Sequence, residues 1–204
     1  MGDSGAEFTF IAASTFTSLP NTMVQLVNGA SAGNVYWFIG SSATIGDYSV
    51  MVGNIIAYAS ITLNSYSTLL GRGLAGAAIT CASGCKIELA IQTCAPLVLP
   101  PPPPAVCMMK LLGCSGRVLE AQSAITFAGE HSFVTGDIGI SPGTSITGEY
   151  IPGHYGNTYI NDAYAMTCAA DMNAILAQGA GQTCTSIVAE LGEDSDLLHE
   201  MREY

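Results

Sequence analysis

An 18-residue register constrains this chain more than any other feature of its sequence. Ser42-Ala43-Thr44-Ile45-Gly46, Ser60-Ile61-Thr62-Leu63-Asn64 and Ala78-Ile79-Thr80-Cys81-Ala82 superimpose at that spacing. The agreement extends outward, matching Ser49 with Ser67, Val52 with Leu70, Gly53 with Gly71, Ala57 with Ala75 and Ala59 with Ala77. Within each copy apolar and hydroxyl residues alternate with the period of a strand. Ala43, Ile45, Ile61, Leu63 and Ile79 would point inward, and Ser42, Thr44, Ser60, Thr62 and Thr80 outward. An earlier copy, Ser14-Thr15-Phe16-Thr17, lies 29 residues before Thr44 and implies one coil with a longer loop. A unit of this length cannot bury its own apolar face, whereas stacked copies bury a continuous core. The residues therefore predict a mainly β chain whose repeats stack as the rungs of a β-helix.

Charge narrows what such a stack can touch. Only 10% of the residues are charged, and acidic ones outnumber basic ones 16 to 5, for a net charge of −11. A polyanion is repelled by phosphate backbones and by anionic membranes, so neither is an expected partner. No uninterrupted apolar run reaches the length of a membrane span. From Phe8 to Gly71 the only charged residue is Asp47, which argues against a carbohydrate-active β-helix enzyme, because that chemistry needs clustered acids and bases. The start of the chain, Met1 to Glu7, lacks the basic and apolar regions of a signal peptide.

The chain has seven cysteines (81, 85, 94, 107, 114, 168 and 184), many for a cytosolic domain of this size. Their spacing fits no zinc pattern, which favours partial disulfide bonding in a secreted or surface protein, with at least one thiol left over. Five consecutive prolines, 100 to 104, cannot enter a sheet ladder and form a polyproline spacer. The reading is rungs over residues 1–95, a proline-rich linker over 96–114, strands and a helix over 115–192, and an acidic tail over 193–204. In the third part, Ser123-Ala124-Ile125-Thr126-Phe127 and Phe133 to Ile140 alternate as strands. The helix has Asn161 as N-cap, Asp162 in its first turn, and an apolar stripe of Ala165, Cys168, Ala169, Met172, Ile175 and Leu176, with Gly179 as its stop.

Two strings resemble the microbial ice-binding proteins. The segment from Asn34 through Trp37 to Gly46, continuing to Gly53-Asn54-Ile55-Ile56-Ala57 and Ile61-Thr62-Leu63-Asn64, is similar to that family's C-terminal half. Thr135-Gly136-Asp137-Ile138-Gly139-Ile140-Ser141-Pro142-Gly143-Thr144-Ser145-Ile146-Thr147-Gly148, followed by Asn161-Asp162-Ala163 and the helix, is similar to its N-terminal half. The resemblance implies a right-handed parallel β-helix with one flanking α-helix. It also implies adsorption to ice without catalysis, cofactor or metal. The two halves stand here in reversed order around the spacer, and the family's middle segment is missing. A piece of a tandem array, with neighbouring ice-binding repeats, is the simplest origin of that order; a permuted single domain would give the same one. A structural or adhesive surface module is the alternative function.

Ice offers neither charge nor pocket, so a face that holds it should be flat, stiff and regularly spaced. The candidate ice-binding residues are the outward ladder Thr15, Thr44, Thr62 and Thr80, with the parallel column Ser42 and Ser60. Threonine brings a methyl, a hydroxyl and a χ1 angle fixed by β-branching. Outward threonines are also simply good strand residues. Other motifs carry less. Gly2-Asp3-Ser4-Gly5 matches a serine-protease string, but no histidine precedes His131. The three histidines are isolated from one another, Asp137 reads as a turn acceptor rather than a calcium ligand, and Trp37 reads as core.

Overall fold

The computed structural model describes residues 6–89, 114, 116–152, 156–179 and 189–190. The proline spacer and the acidic tail lie outside the described residues, as do Cys94, Cys107 and Cys184. In chain order the strands are β1 (Phe8–Ala12), β2 (Phe16–Thr17), β3 (Val35–Ile39), β4 (Ala43–Ile45), β5 (Val50–Ala57), β6 (Ile61–Leu63), β7 (Thr68–Ala75), β8 (Ala78–Cys81) and β9 (Lys86–Glu88). After the spacer come β10 (Arg117–Ala121), β11 (Ala124–Phe127), β12 (Ser132–Thr135), β13 (Asp137–Ile140), β14 (Ser145–Thr147), β15 (Tyr150–Pro152) and β16 (Thr158–Ile160), then the helix α1 (Ala163–Gly179) and β17 (Ala189–Glu190).

All pairings between these strands are parallel, and they build two sheets. The smaller sheet runs β14-β11-β8-β6-β4-β2, and the larger runs β15-β12-β9-β7-β5-β3-β1-β17 with β10, β13 and β16 alongside. Up to β9, successive strands alternate between the sheets, so each 18-residue repeat lays a new strand on its predecessor. Ala43, Ile61 and Ile79 fall in one register line, and Ile45, Leu63 and Cys81 in another. All six are fully buried, as the alternation predicts. They join Trp37, Ile55, Leu69, Ile87, Leu119 and Ile125 in one core between the sheets. Trp37 is a core residue, its ring stacked on Phe10 at 4.2 Å and its Nε1 donating to the Val52 carbonyl.

The long strands β5 and β7 each turn a corner at a glycine. Gly53 and Gly71 pair directly and have φ of 112° and 153°. A Cβ on Gly71 would stand 1.9 Å from the Gly53 carbonyl oxygen, so only glycine fits. On the two sides of that corner β7 pairs with different strands, with β9 through Thr68–Leu70 before it and with β10 through Gly73–Ala75 after it.

The segments on either side of the spacer form shared sheets. β10 pairs with β7, β11 with β8 and β12 with β9, so the strands after the spacer continue the ladders of those before it. Disulfides join Cys81 to Cys85 within a repeat and Cys114 to Cys168 on the helix.

The predicted helix stripe is buried: Ala165, Cys168, Ala169, Met172 and Ile175 are all core residues. Met172, Ile175 and Leu176 cover Phe38, Ile56 and Leu74 on the outer face of the larger sheet. The cap differs from expectation by one residue. Asp162 Oδ1 accepts from the Ala165 amide, the N-cap bond, whereas Asn161 sits before it at φ 48° and shares a hydrogen bond with Ser141 Oγ. Gly179 is the last residue of α1 rather than a residue beyond it.

Candidate ligand-binding face

The two sheets differ in what covers them. On the larger sheet, apolar residues lie beneath α1 and polar ones are sealed by a network. Asn54, 1% exposed, donates to the Gly33 and Val35 carbonyls and accepts from Arg72. Arg72 Nε in turn donates to the Arg117 carbonyl across the pairing of β7 with β10. Burial lowers the Arg72 pKa and raises that of Tyr36, the latter aided by Glu7.

Among the described residues the outer face of the smaller sheet carries no such cover. Its register draws one unbroken line of Thr17, Thr44, Thr62, Thr80, Thr126 and Thr147 across all six strands. With neighbouring strands about 4.8 Å apart, this line is about 24 Å long. The four middle threonines are half-buried between their neighbours, and the two terminal ones are exposed. Thr147 Oγ1 donates to Thr126 Oγ1 at 3.3 Å, so hydroxyls of adjacent strands meet. Two residues earlier, Ala78, Ala124 and Ser145 pair in a second line, and Thr15, Ser42 and Ser60 extend it as the residues directly before the paired Phe16, Ala43 and Ile61. Both lines consist of small or hydroxyl side chains and contain no charge.

This register corrects one sequence assignment. Thr17, not Thr15, pairs with Thr44. Thr15 belongs instead to the line of Ser42 and Ser60, because the long loop before β3 hides the offset from an 18-residue count. Thr44, Thr62 and Thr80 fall in one line and Ser42 and Ser60 in the other, as expected. Thr17, Thr126 and Thr147 escaped the sequence reading. Ala124-Ile125-Thr126-Phe127 repeats the pattern of Ala78-Ile79-Thr80-Cys81, a signal that was present but separated from the register by the spacer.

Among the described residues no three His, Cys, Asp or Glu side chains gather where they could hold a metal ion. No helix there is long and apolar enough to cross a membrane. Asp137 is an acceptor, as expected, but it opens strand β13 and its Oδ1 receives the amide of Asn157, 20 residues away, at 2.8 Å rather than an amide of its own turn.

The most charged buried site lies elsewhere, beside α1. Arg117 and Glu120, both fully buried, form an ion pair on β10. The Arg117 guanidinium stands 4.8 Å from the rings of both Tyr159 and Tyr164, within cation–π range. Arg117 Nε and Nη2 and Glu120 Oε1 find no hydrogen-bond partner among the described residues. Burial drives the Glu120 pKa up to about 7, against the pull of Arg117.

Known proteins share part of this sequence. Residues 1–84 match the family described as Ice-binding-like. An ice-binding protein from Nostoc sp. (strain HG1) is 44% identical over 61 residues, 30% of this chain. The aligned stretch spans 22% of that relative's length. No solved structure matches the chain. The strands that carry Thr17, Thr44, Thr62 and Thr80 all lie within the matched segment, so it is over residues 1–84 that this chain is similar to the ice-binding-like family.

Proposed function

We propose that the protein adsorbs to ice, without catalysis, through the outer face of the smaller sheet, and that its repeats wind as a right-handed β-solenoid. The observation that carries the reading is the unbroken line of six threonines on a sheet face left open among the described residues. Ice presents a repeating lattice of oxygens, so a useful surface repeats too. Parallel strands supply the period, and a sheet anchored on a packed core loses little entropy on adsorption. The threonine methyls order water between neighbouring strands while the hydroxyls join it, and the β-branch holds both in place. Adsorbed molecules would then hinder ice growth and recrystallisation. The Ser42 and Ser60 line broadens the contact to two columns.

The larger sheet is the less suitable face, because α1 and the Asn54–Arg72 network occupy its outer side. Adsorption in the extracellular space is the setting we infer, consistent with the two disulfides. The experiment is partition into a slowly growing ice hemisphere. The wild-type protein is expected to enter the ice, and Thr44→Tyr with Thr62→Tyr to be left in the liquid with an unchanged melting temperature. Uptake of the double variant equal to wild type would show that another face is responsible.

A further inference from the structure

Beside the threonine face, the turns that leave five of the six strands of the smaller sheet, β2, β4, β6, β8 and β11, pass through left-handed backbone. The residues at that point are Asn21 (φ 62°), Tyr48 (55°), Tyr66 (59°), Gly84 (67°) and His131 (65°). Hydrogen bonds between the turns place them in line: the amides of Asn21, Tyr48, Tyr66 and Gly84 donate to the carbonyls of Asp47, Ser65, Ser83 and Glu130. Asparagine, glycine and histidine are residue types that this conformation accepts. Tyrosine is not, and its use twice in succession is unfavourable for the fold. Neither ring repays that by filling the core, since Tyr48 is 61% and Tyr66 54% exposed.

The two rings are nevertheless ordered. They stack with centroids 5.1 Å apart and planes 13° from parallel. Tyr66 lies over Gly84, where an added Cβ would come within 2.6 Å of the ring. The strip thus rests on a glycine that leaves room for it. Polar groups sit in the same turns: Asp47, whose Oδ1 accepts from the Ser65 amide, and Asn64.

We propose that Tyr48 and Tyr66 form a binding strip for a neutral polysaccharide, separate from the ice-binding face. The C–H side of a pyranose ring would pack on the pre-ordered aromatic rings, and its hydroxyls would meet Asp47 and Asn64. Two rings make too small an apolar patch for a stable protein interface. A net charge of −11 and a lack of basic residues from Phe8 to Gly71 disfavour an anionic glycan or lipid surface.

Native electrophoresis through gels containing hydroxyethyl-cellulose, xyloglucan, galactomannan or dextran tests this. Wild type is expected to be retarded by at least one of them. Y48N/Y66N, which keeps a residue suited to left-handed backbone, is expected to bind about tenfold more weakly. Y48F/Y66F should keep most of the retardation, because the ring faces remain. Ice uptake should be unchanged in both variants, so failure of the strip and failure of the ice-binding reading are distinguishable. Unaltered mobility of wild type in all four gels would overturn the proposal, as would full retardation of a folded Y48N/Y66N. Association of wild type with phosphatidylcholine vesicles but with no glycan would overturn it too.

Discussion

Glu120 is a carboxyl group that the fold holds away from water beside Arg117, and burial raises its pKa from 4.5 to about 7. A raised acid favours the folded state at low pH. Between about pH 4.5 and pH 7 the folded chain keeps a proton that the unfolded chain has released, so stability falls as pH rises through that window and levels off above it. Thermal unfolding at pH 5 and pH 8 should show this slope, and E120Q should flatten it. Gln resembles the protonated acid that the fold favours, so E120Q should lose less stability than wild type between pH 5 and pH 8. A pH slope equal in E120Q and wild type would mean that another group titrates. At the same scale Gly71→Ala should be destabilised by about 1–3 kcal/mol from backbone conformation alone, with more from the clash against Gly53, measured by chemical denaturation.

At the scale of elements, helix α1 is held by an apolar stripe and by the Cys114–Cys168 disulfide. That bond closes a separation of 54 residues, and chain-entropy estimates assign such a loop about 4 kcal/mol. C114S/C168S should therefore unfold at lower denaturant, with ice uptake retained where it stays folded, because neither cysteine touches the threonine face. The stripe was legible because an amphipathic helix advertises itself by period. The inward residues of β4, β6 and β8 were legible from alternation for the same reason. Two things were harder to see. The register of β2 depends on how the chain from Ser18 to Asn34 loops out, and residue counting cannot supply that length. The cap at Asp162 rather than Asn161 turns on one φ angle, since either side chain could accept the amide.

At the scale of the whole molecule, the sheets join what the proline spacer separates. β10, β11 and β12 continue the ladders of β7, β8 and β9, so the candidate face draws on both parts of the sequence. Local patterning could not show this, because pairing across a spacer is a long-range choice made by the core. Three of the six threonines in the line were legible as a ladder from the 18-residue register, while Thr17, Thr126 and Thr147 needed the sheet. The same continuity gives the sharpest test of the account. Thr126→Tyr lies outside the segment that matches the ice-binding-like family, yet it shares the line with Thr80. Ice partition should be measured for wild type, T62Y and T126Y side by side, with melting temperatures matched. The account predicts that wild type enters the ice and that both variants are largely excluded. Exclusion of wild type, or uptake of T62Y and T126Y at the wild-type level, would contradict it.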